Sequence, residues 1–412
     1  MISMLQRRWA LGVLCWMALA TAPSHAQLKI DITSGVTDPI PISIQPFDAD
    51  PQTSSQVVAA DLARSGRFVI RESRRADYLV TGRHTLQADG RSQIDFELTN
   101  LLTGQKLLRE RITAGPQSWR NAAHRVADKV YERILGVRSS FATRIAYVSV
   151  DGRAPQQRYQ LIVADADGEN SRVILESKQP LMSPAWSPDG EWLAYVSFET
   201  RSAAVYLQQV RTGERRRVSS RAGVNNAPAW SPDGARLALT LSSPTGNLDV
   251  YLLDVASSAL TRLTDHPAID TEPVWAPDGR SIYFTSDRGG GPQIYQLEPR
   301  QGATPRRVSF SGNYNARPRI SPDGRELAFI TREGGAYRVA IQDLGNGSVR
   351  TLSKGPQDES PGFSPDGGTL IYAARERGQG VLATVSSDGL ILQRLKADRG
   401  DVREPAWGPF RP

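Results

Sequence analysis

Cysteine and histidine are scarce: 412 residues contain one cysteine and four histidines. This excludes a disulfide framework and a multi-cysteine zinc site, and leaves few side chains for metal or acid–base chemistry. The longest apolar run, residues 9–22, is shorter than the roughly 18 residues a membrane span requires. Charge of one sign is not concentrated either, since 50 basic residues stand against 43 acidic ones, a net +7. The densest basic runs, Arg215, Arg216 and Arg217 and then Arg306 and Arg307, fall at equivalent places in a repeat just after a turn. They read as solvated strand edges rather than as a nucleic-acid-binding face. What is present is ordinary for a globular chain with two or three cores: 39% hydrophobic residues and 23% charged. The 35 glycines and 27 prolines point to many turns.

The first segment reads as an address. Arg7 and Arg8 precede the apolar run, and Pro23 and the small-residue ending Ser24, His25, Ala26 follow it. This is the layout of a secretory signal, residues 1–26, cleaved before Gln27. A lipid anchor on Cys15 is disfavoured because Leu14, not a small residue, precedes it. The sole cysteine therefore leaves with the signal, as suits an oxidising compartment, and a periplasmic location is expected. Without Arg7 and Arg8 the net charge falls to +5.

A repeat fills the last two thirds of the chain. The pattern Pro184-Ala-Trp186-Ser-Pro-Asp189-Gly190 recurs around Trp230, Trp275, Ile320, Phe363 and Trp407, at spacings of 44, 45, 45, 43 and 44 residues. A period near 44 with short strands is that of a propeller with four-stranded blades. An apolar strand follows each of the first five marks. The sixth such strand, from Arg144, opens the region with no mark before it, and the last mark, at Trp407, has no strand after it. The ring is therefore expected to close by pairing residues 405–409 with the blade begun at Arg144. Ser-Pro-Asp-Gly reads as a hairpin corner, and the aromatic before it as a wedge between blades. Asp165-Ala-Asp167-Gly168 has the opening of a calcium loop but not its twelve-residue ligand pattern, and occupies a hairpin-turn position.

Residues 27–139 read differently. Strands are expected at 28–32, 41–47, 78–86, 92–99 and 106–112, a helix at 54–65 ended by Gly66, and a second helix from Ser118 stopped by Gly136. The fold class is thus an α+β N-terminal domain (27–139) followed by an all-β six-bladed β-propeller (140–412) closed through its termini.

Chemistry is thinly supported. His84, His124 and His266 share no metal-ligand spacing, and no G-x-S-x-G nucleophile elbow occurs. No catalytic, cofactor-binding or metal residue is assigned. If the Ser-Pro-Asp-Gly turns lie at one end of the innermost strands, the loops before each Pro-x-Trp converge on a mouth at the other end. Besides residues 181–183, that mouth comprises Asn225, Asn226, Ala227, Asp270, Thr271, Glu272, Asn315, Arg317, Asp358, Glu359, Asp401, Arg403 and Glu404. Acids, amides and arginines around a concavity suit capture of a protein loop. The acids also leave open a hydrolase or a glycan-binding protein, and loops at a funnel are polar in any case. At the mature start, Leu28, Ile30 and Ile32 alternate with Lys29 and Asp31, as either an added strand or an ordinary strand of the first domain would.

The signal, the α+β domain, six P-x-W-S-P-D-G-type blades and the stretch Asp270-Thr-Glu272-Pro-Val-Trp275 together closely resemble the TolB family, periplasmic components of the Tol-Pal system, over essentially the whole chain. The resemblance implies a non-enzymatic, monomeric adaptor without cofactors that binds no nucleic acid and does not span the membrane once its signal is cleaved. Its implied partners are the peptidoglycan-associated lipoprotein Pal at the propeller mouth and TolA through Gln27, Leu28, Lys29, Ile30, Asp31 and Ile32, with other outer-membrane proteins as further candidates. The implied role is outer-membrane integrity and invagination during cell division.

Overall fold

The computed structural model describes residues 38–395 and 400–411. The expected signal and the strand at 28–32 lie outside them. The first unit is a five-stranded sheet, β1 (Ile40–Ile44), β2 (Phe68–Ile70), β3 (Tyr78–Leu86), β4 (Ser92–Asn100) and β5 (Lys106–Ala114), in the order β2-β1-β3-β4-β5. β1 pairs in parallel with β2 and β3, while β3, β4 and β5 form an antiparallel meander. Helices α1 (Ser54–Arg64) and α2 (Trp119–Leu135) pack on the sheet. Along β4, Ile94, Phe96 and Leu98 are buried and alternate with the more exposed Gln93, Asp95 and Glu97, as a half-covered sheet demands. The buried residues share a core with Val58, Leu62, Ala122, Val126 and Val130 from the helices. Strand β2 was not expected from the sequence, and β1 is shorter than the run 41–47.

Six four-stranded sheets follow. In the first, β6 (Arg144–Asp151), β7 (Arg158–Asp165) and β8 (Arg172–Ser177) are joined by the closing strand Asp401–Trp407, which pairs antiparallel with β6 through Val402↔Ser149 and Trp407↔Ile145. The ring closes through its termini as expected, and β6 is paired on both sides. In the other five blades the inner strands are Leu181–Trp186, Asn225–Trp230, Asp270–Trp275, Asn315–Ile320 and Asp358–Phe363.

The repeated turn builds each corner by local hydrogen bonds. Gly190 N–H donates to Ser187 O (2.9 Å), Ser187 Oγ donates to Asp189 Oδ1 (2.5 Å) and accepts from Trp192 N–H (2.9 Å). Gly190 has φ +70°, which only glycine adopts without strain. The aromatic wedge also holds: Trp186 Nε1 donates to Ala406 O (3.3 Å) and Trp230 Nε1 to Ala185 O (3.2 Å), each tying one blade to the inner strand before it.

The α+β unit docks at the turn end of the ring. Asp165 and Asp167 form an ordinary hairpin turn, and Arg120 of α2 reaches both carboxylates, at 3.3 and 2.5 Å. His124, also on α2, is 1% exposed, with Nδ1 2.6 Å from Asp61 and Nε2 3.7 Å from Asp165. Burial opposes charge on this imidazole, but the hydrogen-bonded Asp61 carboxylate and the nearby Asp165 and Asp167 outweigh it and raise its pKa to about 10. Asp128 staples the linker, accepting from Ser139 Oγ (2.7 Å), Phe141 N–H (2.9 Å) and Ala142 N–H (3.1 Å). Docking at this end leaves the opposite, mouth end of the ring uncovered by the described residues of the α+β unit.

Candidate partner-binding mouth

Each inner strand carries the same irregularity. Ser183, Ala227, Glu272, Arg317, Ser360 and Glu404 all have φ between 48° and 58°, and each directly precedes a proline. At these points the pairing register slips, for example between Asn226 and Ala229 against the next strand. A proline cannot donate to the ladder, and a left-handed residue before it forms a β-bulge that turns the chain at the mouth. Left-handed geometry is strained in residues other than glycine, so its presence in all six blades marks the place where the fold tolerates cost.

The bulge sorts the expected mouth residues into two groups. Asn225, Asp270 and Asn315 are fully buried and Asp358 is 1% exposed, so these four face inward rather than toward a partner. Each secures the segment that leads into its own strand or the hairpin beside it. Asn225 Nδ2 donates to Arg221 O (2.7 Å) and its Oδ1 accepts from Ser219 Oγ (2.6 Å). Asp270 takes both of its bonds from Arg288 Nη2 (2.8 and 2.7 Å). Asn315 Nδ2 donates to Gln293 Oε1 (2.8 Å), and Asp358 Oδ2 accepts from Gly355 N–H (3.1 Å). Burial raises the pKa of Asp358. Asp401 is partly exposed but is held by Gly380 N–H and by Arg403 Nε (2.9 Å).

The second group faces the opening. Asn226, Ala227, Thr271, Glu272, Arg317, Glu359, Arg403 and Glu404 retain solvent exposure. Glu272 accepts from Arg317 N–H (3.0 Å) and Thr285 Oγ1 (2.9 Å), and its other oxygen lies 3.2 Å from Arg317 Nε. Arg317 in turn donates to Ser360 Oγ. Burial opposes its charge, yet Glu272, Glu404 and Glu359 raise its pKa further. Glu404 accepts from Ser183 N–H of the adjacent blade, and Ser183 Oγ meets Asn226 (3.3 Å). The left-handed residues thus form two polar arcs that link neighbouring blades, above a channel of about 380 Å³ walled by all six inner strands. Loop residues 181–183 and 358–360 supply Ser183 and Ser360 to these arcs. Arg319, one layer deeper in the channel, was missed.

The acids and histidines of the described residues are held apart or already partnered. Asp358 and Glu359 are neighbours on one strand and project to opposite sides, which separates them as an acid–base pair. His84 is buried against Asp50 (3.0 Å) and His124 against Asp61, while exposed His266 accepts from Ala268 N–H (3.0 Å). Among the described residues, one His/acid group has metal-ligand spacing: Asp61, His124 and Asp167. It lies at the domain junction, where Arg64 (2.6 Å from Asp61) and Arg120 already balance its carboxylates. No helix among the described residues is long and apolar enough to cross a membrane.

Comparison with known proteins assigns this architecture. Residues 131–411 match the model of the TolB beta propeller domain, and residues 28–75 that of the TolB amino-terminal domain. The chain belongs to the TolB family. It is 54% identical to the Tol-Pal system protein TolB of Methylococcus capsulatus, covering 95% of this chain and 97% of that one. It is 46% identical to the protein of the same name from Xanthomonas oryzae pv. oryzae, covering 98% of each. The crystal structure of TolB from Acinetobacter baumannii superposes with a TM-score of 0.86 at 38% identity, over 93% of this chain and 100% of that chain. A nidogen/laminin complex shares the propeller at a TM-score of 0.51 and 10% identity, which shows the fold alone.

Proposed function

We propose that this protein is a non-enzymatic periplasmic adaptor of the Tol-Pal system. It receives the lipoprotein Pal at the propeller mouth and engages TolA through residues 27–32, which lie outside the described residues. In this role it supports outer-membrane integrity and invagination during division. The observation that carries the reading is the six-fold ring of left-handed residues at the mouth end of the propeller, away from the docked α+β unit, with Glu272, Arg317 and Glu404 fixed by bonds between blades. Such a surface is preorganised: its polar groups are already oriented, so little ordering cost remains when a partner loop docks. The near-full-length relatives named as Tol-Pal system proteins support the partner assignment.

Reversing the charge of Glu272 removes the partner of Arg317 and places like charges together. Glu272→Arg is expected to weaken Pal binding by calorimetry at least thirtyfold, about 2 kcal/mol, within the range for a desolvated interfacial charge. Equal affinity in a variant that melts like the parent would move the Pal site elsewhere. Removing residues 27–38 should abolish TolA capture and leave Pal binding intact.

A further inference from the structure

At the layer below the mouth, five inner strands present small residues to the channel: Ala185, Ala229, Val274, Gly362 and Ala406. The fourth presents Arg319 at the same register position, opposite Ala328. Its guanidinium has five N–H donors, and its one hydrogen bond among the described residues is from Nη1 to Pro318 O (2.8 Å). No described carboxylate lies within ion-pair distance of it. The two acids of the channel are committed elsewhere, Glu272 to Arg317 and Glu404 to Ser183 N–H. Burial accordingly lowers the pKa of Arg319. A partly buried guanidinium in a cavity of about 380 Å³ has small neighbours that leave it room and no described carboxylate in direct contact, Glu272 and Glu404 acting on it only from beyond ion-pair distance.

We infer that the channel is a binding site for a small oxyanion, phosphate or a short dicarboxylate, held by Arg319 below the partner-binding surface. A planar guanidinium matches two oxygens of such an anion, and the shielded channel strengthens the pairing relative to open water. Small side chains on the other five blades are what make the space. The inference stands apart from the Pal assignment, because Arg319 takes no part in the mouth arcs.

Trp186, Trp230 and Trp407 line the same cavity and provide the readout. Titration of the full mature chain with inorganic phosphate or with succinate, at constant ionic strength set by sodium chloride, should give a saturable fluorescence change. The same anion should raise the melting temperature. Arg319→Gln is expected to weaken the response ten- to a hundredfold, the loss of one charge-assisted contact, while Arg319→Lys, which keeps the charge but not the planar fork, retains only part of it. A response that never saturates with either anion, or one that is equal in the wild type and in a folded Arg319→Gln variant, overturns the site. Neither result bears on Pal binding to Glu272→Arg.

Discussion

Deletion of residues 404–412 tests the closure of the ring. The deletion leaves Asp401–Arg403 paired with β6 but removes the pairs Ala406↔Ala146 and Trp407↔Ile145. It also removes the bonds from Gly408 N–H to Arg144 O (2.8 Å), from Trp407 Nε1 to Thr143 Oγ1 (2.8 Å) and from Trp186 Nε1 to Ala406 O. With the bond from Ser183 N–H to Glu404, four hydrogen bonds at about 1 kcal/mol each and one large aromatic at about 3 kcal/mol give a loss of roughly 7 kcal/mol. That is comparable to the roughly 5–15 kcal/mol that holds a domain folded. With a urea slope of about 3 kcal/mol/M, the unfolding midpoint followed by tryptophan fluorescence should fall by about 2–3 M, and by about 1 M for Trp407→Ala alone. A truncated chain whose midpoint lies within about 0.5 M of the parent's would refute the argument that the last strand holds the circle shut.

Two further outcomes follow from the strained mouth and the buried imidazole. Ala227 has φ 48°, so Ala227→Gly should stabilise by about 0.5–1 kcal/mol in urea denaturation despite the greater freedom of glycine in the unfolded chain; a loss of stability would show that the bulge is unstrained. His124 has a raised folded-state pKa, so its contribution is complete below the unfolded value of about 6.5 and is lost as pH rises toward about 10. Unfolding free energy should therefore drop between these limits by up to about 1.4 kcal/mol per pH unit, a slope that His124→Gln flattens. An unchanged slope in that variant would remove His124 from the junction's charge balance.

The parts of this molecule that were legible in sequence are those built by local rules. Ser187, Asp189 and Gly190 close their corner within six residues, so the repeat announced both the blade number and the closure. Strand β2 was not legible because Phe68–Ile70 is three residues long and shows no period. The mouth was half legible. Six prolines marked where the inner strands are interrupted, but the sign of φ at the residue before each one depends on the packed ring. That sign decides that Glu272 faces the opening while Asp270 turns inward onto Arg288. Arg319 carried a signal that aligning the six repeats against one another exposes: arginine where the others hold alanine, valine or glycine. The junction of His124 with Asp165 had none, because it joins a helix to a hairpin turn of another unit.

The closing strand joins two features that would otherwise be independent. Glu404 lies at the mouth, bonded to Ser183; three residues later Trp407 bonds Thr143. Beyond it, Arg138 of the linker stacks 3.6 Å above Phe410, and Arg411 Nη2 lies 3.6 Å from the Asp165 carboxylate that Arg120 also holds. The span from Glu404 to Arg411 is seven residues, about 23 Å if extended. The strand itself runs to Trp407, and only Gly408 and Pro409 separate it from Phe410 and Arg411. The segment that completes the ring is therefore also part of the clamp on α2, and ring closure and domain docking draw on the same residues. Truncation at residue 404 should consequently raise amide exchange in α2 together with the loss of blade fluorescence, whereas Trp407→Ala, which leaves Phe410 and Arg411 in the chain, should spare α2 more than the blades.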